Sequence, residues 1–175
     1  MRALTTRALL ERFMAELGRL VRQPVHVYLT GGATAVWHGW RETTIDIDLK
    51  AIPDSDEVLR ALVLLKERLH LNVELASPDQ FIPELPGWRD RSRFIKSVGA
   101  VTFWHYDPYA QALSKIERGH AQDVADVHSA LAQGLIEPEQ LLELFEAIRP
   151  QLYRYPAIDE ASFADAVQEV VRSAR

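Results

Sequence analysis

Between Val25 and Lys50 the chain reads VHVYLTGGATAVWHGWRETTIDIDLK, and this stretch restricts the possible folds more than any other. Val25, Val27 and Leu29 alternate with His26 and Tyr28, the period-two pattern of a strand. Gly31-Gly32 interrupts it, and a helix-like run from Ala33 to Trp40 follows, with Ala35, Val36 and Trp37 as its apolar residues. Thr44 to Leu49, TIDIDL, reads as a second strand. Asp46 and Asp48 are two apart on it, so their carboxylates leave one face. Ile45, Ile47 and Leu49 are expected to point the other way, into a core.

Two carboxylates held side by side repel, and a divalent cation between them removes that cost. Mg²⁺ takes hard oxygen ligands, typically one or two carboxylates together with substrate phosphates and water. The diglycine fits the same chemistry. Glycine lets the backbone approach a phosphate closely, and the start of the following helix offers unpaired amides and a positive dipole end.

Gly31-Gly32, the thirteen residues from Ala33 to Ile45, and then Asp46-Ile47-Asp48-Leu49 resemble the signature of the DNA polymerase β-like nucleotidyltransferase superfamily. The run Arg41…Thr44…DIDL is similar, more specifically, to the minimal bacterial nucleotidyltransferases, several of which belong to toxin–antitoxin systems. The resemblance spans roughly Val25 to Val127. It implies an α/β (α+β) fold, a mixed β-sheet flanked by helices with further helices at the C-terminus. The activity it implies is transfer of a nucleoside monophosphate from an NTP to a hydroxyl. Asp46 and Asp48 would hold two Mg²⁺ ions, with Mn²⁺ as the alternative ion, and Gly31, Gly32 and Thr34 would cradle phosphates. Enzymes of this kind commonly add a third acidic residue from a neighbouring strand. Glu74 is the only acidic residue in the strand-like run Leu71 to Ala76, and it is either that third ligand or a solvent-facing glutamate.

A second constellation lies in ALSKIERGHAQDVADV, Ala112 to Val127. Lys115 and Arg118 are three apart on one helical face, and Asp123 and Asp126 repeat that spacing on the next helix. The resemblance implies that Lys115, Arg118 and Asp123 help hold nucleotide phosphates, with Asp126 a weaker match. The bland reading of the same spacing is a pair of salt bridges between two helices, worth little where exposed. The acceptor is not named by the sequence: RNA such as tRNA, a protein and a small molecule are all compatible, and a cognate toxin or antitoxin is a candidate partner. The rival reading is a catalytically inactive member of the fold that acts as a binding or antitoxin-like partner.

Bulk properties narrow the rest. A length of 175 residues fits one domain, with a sheet core over about 22–127 and a helical tail over about 136–175. Hydrophobic residues make up 47% and charged residues 26%, which argues against disorder. The chain has no cysteine, which removes disulfides, thiolate zinc sites and cysteine nucleophiles together. The first residues lack the apolar core of a signal peptide, and no apolar run approaches the length of a membrane span. The expected location is the cytoplasm. A net charge of −5 leaves no global electrostatic footprint for nucleic acid, although Arg89, Arg91, Arg93 and Lys96 form a local basic stretch. No histidine pair has a metal-ligand spacing.

The remaining elements follow from periodicity and punctuation. Leu4 to Val21 has helical spacing and ends before Gln23-Pro24. Ser55 is the expected N-cap of a helix carrying Val58, Leu59, Leu62, Leu65 and Leu69. Ser77 to Asp90 reads as a proline-rich loop. Arg93–Val98 and Val101–Tyr106 read as a hairpin around Gly99-Ala100. Helices are expected over Tyr109–Arg118, Gln122–Gln133, Pro138–Ile148 and Ala161–Val171, with a linker from Arg149 to Pro156.

Overall fold

The computed structural model describes residues 3–174. Its elements, in chain order, are β1 (Thr5–Thr6), α1 (Arg7–Leu20), β2 (Val25–Thr30), α2 (Gly31–Trp37), β3 (Thr43–Thr44), β4 (Asp46–Ile52), α3 (Asp56–Arg68) and β5 (Asn72–Leu75). They continue with α4 (Trp88–Arg91), β6 (Arg93–Val98), β7 (Val101–His105), α5 (Pro108–Arg118), α6 (Ala121–Ala132), α7 (Pro138–Ile148) and α8 (Glu160–Ser173). The fold is α+β, and the chain divides into two compact units. One holds the residues up to Ser77 together with Ser92–Tyr106; the other holds Pro78–Arg91 and the chain from Asp107 onward. Helices α5 and α6, expected with the sheet core, group with the tail helices instead.

The first unit is built on a five-stranded mixed sheet in the order β5-β4-β2-β7-β6. β2 runs antiparallel to β4 and parallel to β7, β4 runs parallel to β5, and β6 and β7 form the antiparallel hairpin. The parallel β4–β5 pair is joined by α3, as a crossover connection requires. On one face of the sheet Val27, Leu29, Ile47, Leu49, Val73 and Phe103 are buried. Leu10, Phe13, Met14 and Leu17 of α1 and Val58, Leu62 and Leu65 of α3 complete that core. A side chain of this size contributes about 1.5–3 kcal/mol when fully buried. Both helices begin at capped ends: Thr6 Oγ1 accepts from Leu9 N at 3.2 Å, and Ser55 Oγ accepts from Val58 N at 3.3 Å.

The opposite face of the sheet carries rings. Tyr28 and Trp104 are cross-strand partners and stack with centroids 6.2 Å apart. Trp104 donates its indole N–H to His26 Nδ1 at 2.9 Å, and Phe94 stands edge-on to Trp104 at 5.6 Å. Such aromatic cross-strand pairs hold register.

Several expectations need correction. Ile45 is 68% exposed, because Thr43–Thr44 leaves the line of β4 to pair with β1 and the core-directed alternation starts only at Asp46. Leu75, which the strand period puts on the same face as the buried Val73, is 45% exposed at the end of the edge strand. The helix after the diglycine starts at Gly31 and ends at Trp37, earlier at both ends than the apolar pattern indicated. The loop Ser77–Asp90 contains a short 3₁₀ turn at Pro78–Gln80 and the start of α4, and the linker from Arg149 is a 3₁₀ helix to Arg154.

The second unit is helical. α5 packs against α6, α7 and α8, and α7 against α8. Pro108 opens α5 at its first turn, Asp107 Oδ1 caps it by accepting from Tyr109 N at 3.0 Å, and Gly119 closes it in the left-handed region at φ 70°. Tyr109 ties α5 to α7: its hydroxyl donates to Gln140 Oε1 at 2.8 Å and accepts from Glu137 N at 3.0 Å. Phe145 and Phe163 meet edge to face at 4.9 Å between α7 and α8. Arg91 of α4 donates twice to the buried Asp107 carboxylate, at 2.6 and 3.0 Å.

In the first unit α1 approaches the β6–β7 hairpin closely at Gly18. A Cβ built on Gly18 would stand 2.4 Å from Val98 Cγ1 and 2.5 Å from the Val98 carbonyl oxygen. Alanine there gains up to about 1 kcal/mol of helix propensity but must displace backbone, and overpacking of this kind costs about 1–3 kcal/mol. Gly18→Ala is therefore expected to lower the stability of the protein in urea unfolding. A variant as stable as the parent or more stable would show that α1 can move off the hairpin freely.

Candidate active site

The acidic residues of the motif lie on the ring-bearing face of the first unit's sheet. β4 alternates Ile47 and Leu49 into the core with Asp46, Asp48 and Lys50 outward, all three half-buried. The parallel register of β5 sets Asn72 beside Asp46 and Glu74 beside Asp48. Parallel neighbours present to the same face, so Asn72 and Glu74 join the aspartates. One side-chain amide ties this group: Asn72 Nδ2 donates to Asp46 Oδ1 and, at 3.2 Å, to Glu74 Oε1. Glu74 itself is exposed.

The diglycine meets the same group from β2, whose last residue, Thr30, is the partner of Asp48. Gly31 has φ 61°, a region glycine enters freely, and a Cβ on it would stand 2.7 Å from Asp48 Oδ2. A Cβ on Gly32 would overlap the Thr44 hydroxyl at 2.0 Å, and that hydroxyl donates to Asp46 O at 3.2 Å. Any larger residue at either position would push on Asp48 or on the segment that leads into Asp46. The two glycines thus fit closely against the carboxylate strand and the segment before it, and Gly31 also needs its positive φ.

Thr34 points inward. Its hydroxyl donates to Leu29 O at 3.3 Å and lies 3.1 Å from His105 Nδ1. His105 Nε2 is buried and has no hydrogen-bond partner among the described residues. Burial, with help from neighbouring His38, Arg7 and Arg93, pulls the His105 pKa down to about 3. His38, whose ring lies 4.8 Å from that of His105, is lowered too, by burial first and then by Arg93 and Arg7. Thr34 and His105 therefore act as a neutral brace under the diglycine helix.

The second constellation belongs to the second unit. Lys115 is buried and pairs with Asp126, with Asp123 Oδ1 4.0 Å away. Arg118 reaches both oxygens of Asp123, at 2.7 and 2.8 Å. Burial pushes the Asp123 carboxyl up, but the hydrogen bonds and charge of Arg118 and the charge of Lys115 outweigh it, and its pKa lies below the usual carboxylate value. The spacing was read in the sequence as either a phosphate site or salt bridges between helices. The ion pairs are present, and three of the four groups, Lys115, Asp123 and Asp126, have buried side chains, unlike the usual surface pair.

Asn72 and Lys50 lie on the acidic face and Thr44 beside it, and none of the three is among the site residues expected from the sequence. Asn72 is two before Glu74 and Lys50 two after Asp48, so the strand period was a signal for both. Thr44 was visible only as part of a motif, and its contact with Gly32 needed the fold.

The donor set fits a hard divalent cation. Asp46 and Asp48 offer carboxylate oxygens, and Gly31 stands against Asp48 Oδ2 where a Cβ would crowd it. Among the described residues no group of three or more His, Asp or Glu side chains is arranged to hold a metal ion. Asp46 and Asp48, on one strand face, are the pair that could hold such an ion together with water and phosphate oxygens. Also among the described residues, no helix is long and apolar enough to cross a membrane.

A family model described as "Nucleotidyltransferase of unknown function (DUF6036)" matches residues 9–173. No curated protein and no solved structure matches the chain.

The state of His105 has a measurable consequence. An imidazole whose folded pKa is about 3 takes up its proton only on unfolding at any pH between that value and about 6.5. The unfolded state then binds more protons, so stability falls as pH falls through this window, by about 1.4 kcal/mol per pH unit. His105→Gln removes that component. Urea unfolding at pH 7, 6 and 5 is expected to show a shallower loss for the variant than for the parent. Parallel curves would mean that His105 titrates normally in the folded protein.

Proposed function

The chain belongs to this family of nucleotidyltransferases of unknown function, and on that premise we propose that it is a Mg²⁺-dependent enzyme moving a nucleoside monophosphate from an NTP to an acceptor hydroxyl. The observation that carries the proposal is the meeting of the Asp46/Asp48 strand with a diglycine on which a Cβ would crowd Asp48 and Thr44. Mg²⁺ or Mn²⁺, when bound, supplies Lewis-acid polarisation of the phosphoryl oxygens and a lower pKa for the attacking hydroxyl.

The protein's own residues do the rest. Asp46 and Asp48 hold their carboxylates on one rigid strand, so the geometry is set before substrate arrives. Gly31 and Gly32 let the triphosphate approach the backbone, a role that passes to them from Thr34, whose hydroxyl is engaged inward. Glu74 stands on the acceptor side as a proton acceptor or further ligand. Lys115 and Arg118 are the reading for phosphate charge in the second unit, each held by its own carboxylate. The acceptor is an RNA, a protein or a small molecule, and a role in a toxin–antitoxin pair is compatible with the family. A second reading, a non-catalytic nucleotide or partner binder, draws on the hydrogen bond that engages Glu74 with Asn72.

Asp46→Asn and Asp48→Asn are near-isosteric and should leave the fold intact while removing Mn²⁺ binding, measured by titration with the ion. Unchanged affinity in both variants would sink the metal assignment. Incubation of the parent with each labelled NTP and total cellular RNA and protein then separates the enzyme from the non-catalytic binder: label transferred to an acceptor supports the first, and nucleotide binding without transfer supports the second.

Lys115→Ala tests the second constellation. A charge-assisted contact to phosphate predicts a loss of about 1.5–3 kcal/mol in NTP affinity. A fall in melting temperature with unchanged nucleotide affinity would make the Lys115–Asp126 pair purely structural.

A further inference from the structure

We propose that Asn72 is a positioning residue of the acidic face, holding Asp46 and Glu74 in one arrangement through its side-chain amide; this rests on the nucleotidyltransferase reading and adds a part to it. An amide nitrogen carries two hydrogens. Here one goes to Asp46 Oδ1 and the other to Glu74 Oε1. The backbone register of β4 and β5 places Asn72 beside Asp46, and its own strand places Glu74 two residues on, on the same face. One side chain therefore spans a pair on adjacent strands and a pair along one strand.

The physical need is plain. Glu74 is exposed and has three rotatable side-chain bonds, so nothing in the core fixes it. Asp46 is half-buried and carries the same charge as its neighbours. Left alone, the two carboxylates would diverge into solvent. A shared amide offers positive hydrogens to both at once and holds them within one group's reach of each other. That is the office of an outer residue that orients ligands, whose loss commonly lowers metal affinity 10–100-fold although it never touches the ion. Asn72 is no carboxylate and does not appear in the motif that marks Asp46 and Asp48, so motif reading passes over it.

The test uses the full chain and Mn²⁺ alone, with bound ion measured by its electron paramagnetic resonance signal. Asn72→Ala and the shape-conserving Asn72→Leu are expected to weaken Mn²⁺ binding about 10–100-fold, and Asn72→Gln, which keeps the amide, to recover part of that loss. In a Glu74→Gln background the amide has lost one charged acceptor, so Asn72→Ala should cost less than it does in the parent. Asn72→Ala and Asn72→Leu that bind Mn²⁺ like the parent would overturn the proposal. So would equal losses with and without Glu74, or a Gln variant as weak as Ala. A failure of the broader reading looks different: the parent, Asp46→Asn and Asp48→Asn would then be indistinguishable in Mn²⁺ binding.

Discussion

The pairing of β2 with β4 governs the first unit. It runs antiparallel from His26 opposite Ile52 to Thr30 opposite Asp48. Because the chain must turn immediately after Thr30, the residues at that turn lie against the carboxylate strand. Gly31 meets Asp48 and Gly32 meets Thr44, each closer than a Cβ allows. The glycines, the carboxylates and the short helix are thus consequences of one register. A slip of one residue would send Asp46 and Asp48 into the core and Ile47 and Leu49 to the open face. The buried cluster of α1, α3 and the sheet opposes that slip with every apolar side chain it contains.

Much of this was legible in the sequence, because period-two alternation and glycine punctuation are local signals. β2, the β6–β7 hairpin and the helix from Pro138 to Ile148 lie where the pattern puts them, and Ser55 caps α3 as its position implies. The errors have a common cause. Ile45 and Leu75 are apolar residues that continue an alternating pattern past the point where the strand stops being covered. Alternation shows which face a residue takes only while the strand persists, and neither the departure of β3 toward β1 nor the edge position of β5 is written in the local composition. The grouping of α5 and α6 with α7 and α8 is likewise a matter of long-range packing.

The candidate site shows the same division. Asp46, Asp48 and the glycines announce themselves by spacing. Asn72 does not, since an asparagine on a strand has no distinctive pattern, and its meaning comes from the parallel register that sets it against Asp46. Thr34 is the reverse case. It follows the diglycine where a phosphate contact would be expected, yet its hydroxyl turns to Leu29 and His105 in the interior. His105 in turn keeps a neutral ring under the helix, because burial first, and then His38, Arg7 and Arg93, disfavour its charged form.

The placement of β5 at the rim of the sheet bears on how such a protein changes over generations. Gly31 to Asp48 forms a single contiguous block, in which Gly31 lies against the Asp48 side chain and Gly32 against that of Thr44, while Thr30 just before it pairs with Asp48. Asn72 and Glu74 arrive on a separate, four-residue strand with one neighbour in the sheet, after the α3 crossover. Substitution on that strand disturbs one ladder, whereas substitution in the block disturbs the turn, the helix and two strands together. Descendants of this chain can therefore retune the outer half of the acidic face by drift at the rim while the inner half stays frozen.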